Sequence, residues 1–206
     1  MKCAILSGGI AAGKTTVVGL LSLSLNAGVQ WFLADECIKM AYVASDLRLA
    51  LINAFGYLMR PDERRAMEDD ERGDRLRVWL RESVLPSEER RKLLESILHP
   101  YVMQALENVR QKREGNLLVA EVPLHYEIGE VISADLVIVV AASRSVQVRR
   151  MMENRGLDEA TAQAFLNAQW SIEAKVERAD VVIWNDGDPS ALEGQTLLLA
   201  NLLNLE

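Results

Sequence analysis

Ser7-Gly8-Gly9-Ile10-Ala11-Ala12-Gly13-Lys14-Thr15-Thr16 is the stretch that decides the fold. A short apolar run, Cys3–Leu6, leads into it, and a helix-like run, Lys14–Asn26, leads out. The spacing Gly8-x-x-x-x-Gly13-Lys14-Thr15 is that of a phosphate-binding P-loop set between a strand and a helix. Gly8, Gly9 and Gly13 let the backbone turn sharply, so successive N–H groups, those of Ile10, Ala11 and Ala12 among them, can face one anion. The helix opening near Lys14 adds the positive end of its dipole. Lys14 can reach β- and γ-phosphates, and the hydroxyl of Thr15, with Thr16 beside it, is placed for magnesium and phosphate. ATP with Mg2+ is the expected ligand. The loop alone does not separate kinases from GTPases, motors or synthetases.

Working outward, five continuous apolar runs stand out: Cys3–Leu6, Gln30–Leu33, Leu117–Val122, Leu136–Ala141 and Val181–Trp184. Runs rich in Val, Ile and Leu with little alternation are how strands covered on both faces of a parallel sheet read. Helix-like segments lie between them, at Lys14–Asn26, Asp35–Val43, Ser87–Lys112, Ser145–Asn154 and Asp158–Ala168. The expected fold is therefore α/β, a five-stranded parallel sheet of P-loop NTPase type flanked by helices. The long gap from Asp35 to Gly115 predicts a helical subdomain, with the charge-dense run Arg60–Arg77 as solvated helix and loop. A second helical excursion, Ser143–Arg178, predicts a lid, and the apolar stretch Leu197–Leu205 a last helix on the sheet. The single domain then divides into a core (about 1–34, 115–142 and 179–206), an acceptor-binding subdomain (about 35–114) and a lid (about 143–178).

The composition excludes several classes. A chain of 206 residues, half of them apolar, can bury one real core but hardly two. Its net charge of −7 lacks the basic excess of a nucleic-acid binder. Cys3 and Cys37, the two cysteines, make neither a disulfide framework nor a zinc site. No signal peptide precedes the loop, and Leu197–Leu205 is too short to span a bilayer. The expectation is a cytoplasmic protein with small-molecule partners, without nucleic acid, membrane or protein partner.

The acceptor side must then define the chemistry. Asp35 follows the second strand and opens a helix. It reads either as a first-turn charge or as the base that orients and deprotonates an acceptor hydroxyl. Glu121 ends the third strand, where an acid can serve magnesium or its water shell, and Pro123 follows it. His99 lies late in the helical subdomain and reads more readily as structural, His125 still more so. Arg144, Arg149, Arg150 and Arg155 cluster in the second excursion, and arginine forks suit phosphate charge. A mobile arginine-bearing lid is the expected device, with Arg150 closing on ATP.

Together these residues resemble the dephospho-coenzyme A kinase family along nearly the whole chain. Ser7-Gly8-Gly9-Ile10 through Lys14-Thr15-Thr16 resembles its loop T-G-G-I-G-S-G-K-S, and Leu33-Ala34-Asp35 its D-A-D motif. Leu80-Arg81 and Ile97-Leu98-His99-Pro100 resemble its L-R and L-H-P elements. Glu121-Val122-Pro123-Leu124 with Glu127 resembles D-V-P-L-L-F-E. Arg150, Gln169, Lys175, Ala179–Ile183 and Asn185-Asp186-Gly187 resemble the lid and the closing A-D-x-V-I-D-N-x-G. The resemblance implies phosphorylation by ATP of the ribose 3′-hydroxyl of dephospho-coenzyme A, the last step of coenzyme A synthesis. It implies Asp35, Lys14 and Arg150 as catalytic groups and Asn185 as part of the nucleotide site. Asp35, Arg81, His99 and Pro123 would serve the acceptor, and Thr15 and Glu121 the metal.

The departures carry expectations of their own. Leu33 replaces the first acid of D-A-D, so Asp35 acts without a neighbour. Ala11 replaces a loop glycine, which is comfortable only where its φ stays negative. Asn154 stands where the family has arginine, with Arg155 next to it as the expected substitute. Phe165, Val176 and Trp184 replace charged residues, and His125-Tyr126 replaces L-F. Another small-molecule nucleoside or nucleotide kinase, or a weakly catalytic ATP-binding paralogue, stays open as an alternative at this point.

Overall fold

Runs of Val, Ile and Leu build a sheet here because each strand has a neighbour on either side or a helix above and below. A computed structural model describes residues 1–127 and 132–205. The strands are β1 (Lys2–Gly8), β2 (Val29–Leu33), β3 (Leu117–Glu121), β4 (Leu136–Ala141) and β5 (Val181–Trp184). They form one sheet in the order β2-β3-β1-β4-β5, and each pairing is parallel. The five expected strands are all present, β4 and β5 with the bounds read from the sequence.

The chain divides into two compact units, Met1–Leu33 with Lys112–Glu206, and Ala34–Gln111. The first holds the sheet with α1 (Lys14–Ser24), α7 (Arg144–Arg155), α8 (Glu159–Asn167), α9 (Ile172–Val176) and α10 (Pro189–Leu205). Strand alternation sorts its core. Ala4, Leu6, Ile138 and Val140 face one side, with Val17 and Leu21 of α1 and Leu199 and Leu203 of α10. Val139 and Ala141 face the other, with Ile172 of α9. The last helix begins at Pro189, eight residues before the apolar stretch that suggested it, because proline suits a first helical turn and the early turns are polar.

The second unit is all helical: α2 (Ala34–Val43), α3 (Ser45–Phe55), a 3₁₀ turn (Gly56–Leu58), α4 (Pro61–Glu68), α5 (Asp74–Ser83) and α6 (Glu88–Lys112, ending one residue beyond the unit). Its own core gathers Leu51, Ile52, Phe55, Leu76, Leu80, Leu94 and Leu98. The charged run Arg60–Arg77 is α4, a turn with Gly73 in the left-handed region, and the start of α5. No helix among the described residues is long and apolar enough to cross a membrane. Both cysteines are free, Cys3 buried in β1 and Cys37 partly buried in α2.

Two aromatic residues of the helical unit separate burial from mere proximity. Phe55 is wholly buried and Tyr57, two residues on, is 71% exposed. Phe55→Ala should lower the unfolding free energy by about 3–5 kcal/mol, the usual cost of a large aromatic cavity. Tyr57→Ala should change it by no more than about 0.5 kcal/mol. Urea unfolding of the two variants measures both, and equal losses would contradict this account of the core.

Candidate functional site

In the sheet-bearing unit β1 delivers the chain directly into the loop. Gly9 N–H donates to the Val140 carbonyl at 3.3 Å, so the first loop residue is still tied to β4. Gly13 caps α1 with φ +102°, and a side chain there would collide with the Asn185 carboxamide. A glycine at position 13 is thus required by both conformation and space. Ala11 adopts φ +56°. This corrects the expectation of a negative φ. The alanine thus sits in the left-handed region, at a cost of about 1–2 kcal/mol.

The loop's carbonyls are held from below. Asn185, at the end of β5, is buried and donates from Nδ2 to the Ala12 carbonyl at 2.8 Å. Its own N–H donates to the Ala141 carbonyl at 2.7 Å, continuing the sheet. Arg150 of α7 donates to the Asn185 carbonyl at 2.9 Å and to Asn185 Oδ1, Ala11 O and Ala12 O at 3.4 Å each. The arginine expected on a mobile lid is therefore engaged at the underside of the loop. Lys14 lies over the loop, its Nζ donating to Gly9 O at 2.8 Å and Gly8 O at 3.5 Å. Thr15 and Thr16 are exposed in the first turn of α1.

Two glutamines complete the cradle. Gln169, already noted for its resemblance, accepts from Ile10 N–H at 3.3 Å. Gln147 was missed by sequence reasoning. It is buried in α7, donates to the Ala142 carbonyl at 2.5 Å, and presses its carboxamide against Gly9 closely enough to crowd any side chain there. The only available signal was a polar residue within a helical run otherwise read for its arginines. Those arginines separate. Arg144 binds Gln163 and Asn167 of α8, with one bond to Asn167 of 2.7 Å, while Arg149 and Arg155 are exposed.

Glu121 ends β3, buried, and in register with both Leu6 of β1 and Leu33 of β2. The Pro123 carbonyl accepts the Ser7 hydroxyl at 3.2 Å. Farther along, Glu127 Oε1 receives Trp170 N–H at 3.0 Å and lies 2.7 Å from Lys175 Nζ, whose side chain is wholly buried. Tyr126 stacks on Trp170, and the Arg178 guanidinium lies 4.9 Å from the Trp170 ring centre. Burial pushes the His125 imidazole below its usual range; Glu127 opposes this and Lys175 adds to it. Burial, with a smaller push from Asp180, raises the Tyr126 phenol.

The remaining expected residues lie in the helical unit. Asp35 is exposed in the first turn of α2, two residues beyond the end of β2. Arg81 is exposed in the last turn of α5, and His99 is half-buried in α6 before Pro100. No group of three or more His, Cys, Asp or Glu forms a metal cage among the described residues. Thr15, exposed in α1, offers a hydroxyl oxygen and Glu121, buried at the end of β3, a carboxylate. That suits Mg2+, which keeps waters and takes phosphate oxygens as ligands.

Comparison with known proteins finds matches along nearly the whole chain. The family profile described as dephospho-CoA kinase matches residues 3–190. A dephospho-CoA kinase of Anaeromyxobacter dehalogenans is 38% identical over 98% of this chain and 92% of its own. One from Geobacillus kaustophilus is 33% identical over 94% and 92%. A crystal structure of a Thermus thermophilus protein superimposes with a TM-score of 0.74 at 29% identity, covering 100% of this chain and 98% of that one.

The Glu127–Lys175 pair offers a test of how α9 is fastened to the segment after β3. Lys175→Met strands a largely buried carboxylate and should cost about 3–5 kcal/mol. Adding Glu127→Gln removes the stranded charge and should recover much of the loss. Chemical denaturation of the single and double variants decides it: a double variant less stable than Lys175→Met would contradict the pairing.

Proposed function

This chain belongs to the dephospho-coenzyme A kinase family, an ATP-dependent phosphotransferase family, and on that premise we propose the roles of its residues. The observation that carries the reading is the cradle itself: loop N–H groups at the N-terminus of α1, Lys14 lying over them, and their carbonyls tied down elsewhere. The N–H groups of the loop and of the first turn of α1 that are not already bonded within the protein receive the β- and γ-phosphates, and Lys14 exchanges its loop carbonyls for phosphate oxygens. Thr15 and Glu121 hold Mg2+, and when bound the ion neutralises charge on the triphosphate.

Asp35 accepts the proton of the acceptor's ribose 3′-hydroxyl. The oxygen then bonds to the γ-phosphorus as the bond from that phosphorus to the β–γ bridging oxygen breaks, and ADP leaves. Its position just past the carboxyl end of β2 supports this, since ligands of open α/β sheets lie at that rim. By the resemblance of their motifs, Arg81, His99 and Pro123 are the residues proposed to serve the acceptor. The substrates are small molecules, and free thiols with ATP as donor suit the cytoplasm.

Asp35→Asn keeps the side chain's shape and removes the base. The expected result is a fall in kcat of about 10²–10⁴ with nucleotide affinity little changed. Steady-state kinetics with dephospho-coenzyme A, alongside titration with an ATP analogue, measure both. Near-normal turnover would reduce Asp35 to a helix-end charge.

A further inference from the structure

Ala11 is where this chain departs from its relatives' glycine, and the structure puts that alanine where glycine is favoured. Its φ of +56° is a conformation that L-residues other than Asn and Asp rarely adopt singly. Something must keep it there. Three contacts do so, and none comes from the loop's own sequence. Nη1 of Arg150 reaches both the Ala11 and the Ala12 carbonyl, while its Nη2 holds Asn185. The Asn185 carboxamide takes the Ala12 carbonyl at 2.8 Å. Ile10 and Ala11 also pack against the apolar cluster of Val148, Met151 and Ala162 on α7 and α8.

The direction of these contacts matters. A loop that binds phosphate through N–H groups must turn its carbonyls away from the anion, and each carbonyl turned inward needs a donor. Arg150 and Asn185 supply those donors. Arg150 also donates to the Asn185 backbone carbonyl, so the two side chains form one unit spanning α7, the end of β5 and the loop.

We infer that Arg150 and Asn185 are positioning residues that hold the phosphate loop in its anion-binding shape, and that Ala11 makes this chain depend on them. With glycine at position 11 the left-handed turn is free of strain and the loop keeps its shape with weaker anchoring. With alanine, loss of an anchor lets residue 11 relax to negative φ, and the neighbouring N–H groups turn off the phosphates. The inference rests on the nucleotide-binding role of the loop proposed above. It adds that affinity for ATP is set partly by carbonyl anchors that touch no phosphate.

The test is a double-mutant cycle on the full chain, read by titration with a non-hydrolysable ATP analogue and by KM for each substrate. Asn185→Ala is expected to weaken the analogue by about ten-fold and raise the KM for ATP, with the KM for dephospho-coenzyme A nearly constant. Adding Ala11→Gly should restore affinity to within about three-fold of the Ala11→Gly protein. Arg150→Lys, which keeps the charge and loses the fork, should behave likewise and serves if Asn185→Ala does not fold. Thermal melting separates folding from affinity, because a merely structural residue would lower the melting temperature without this rescue. Wild-type affinity in folded Asn185→Ala and Arg150→Lys, or weakened binding that Ala11→Gly does not repair, would overturn the inference. Wild-type protein that binds no analogue would overturn the nucleotide reading together with it.

Discussion

A loop can offer its N–H groups to an anion only if its carbonyls are satisfied elsewhere. That constraint governs the sheet-bearing unit of this protein. The Ala11 and Ala12 carbonyls in particular are met by donors from outside the loop. Asn185 arrives from the end of β5 and Arg150 from α7, while Gln147, three residues before Arg150 on the same helix, packs its carboxamide against Gly9. The sheet order brings these together, because β1 lies between β3 and β4 and β5 lies next to β4. Leu6, Ile138 and Ile183 share the same buried core beneath α1 and α10. Packing thus places the strand ends, and the strand ends place the polar cradle.

Much of the fold was legible because buried parallel strands and the glycine-rich turn have local signatures. β4 and β5 read correctly to the residue, since each is an unbroken apolar run that opens directly after an aspartate. In the second unit α2 and α6 were read to within a residue, as Asp35–Val43 and Ser87–Lys112, whereas α3, α4 and α5 were legible only as a helical region. α3 starts after Ala44 with no side-chain cap, and α4 is so charged that its pattern resembles a solvated loop. Its burial is supplied by Met67 alone, which no periodicity count could single out.

The site was legible in its residue types and less so in their contacts. The motif named Lys14, Thr15 and the glycines, because loop geometry demands them. It did not reveal that Ala11 would keep a positive φ, since that depends on anchors more than a hundred residues away in sequence. Arg150 was read by charge as a phosphate clamp, and its contacts here, to the Ala11 and Ala12 carbonyls and to Asn185, were not legible from charge. Asn185 was assigned to the nucleotide site, and its bond to the Ala12 carbonyl was not legible either. Gln147 and the Glu127–Lys175 pair depend on tertiary burial, which a single sequence does not display. Membership of the dephospho-coenzyme A kinase family accounts for why these distant pieces occur together, whereas physical contact accounts for what each one does.

The central claim is that this cradle transfers the γ-phosphate of ATP to one acceptor. The most direct measurement is transfer of labelled γ-phosphate by the purified protein across a panel of dephospho-coenzyme A, adenosine, nucleoside monophosphates and pantothenate. The account predicts rapid labelling of dephospho-coenzyme A at the ribose 3′-oxygen and little labelling of the others. Labelling of a nucleoside or nucleotide with dephospho-coenzyme A left untouched, or ATP binding with no acceptor labelled, would contradict it.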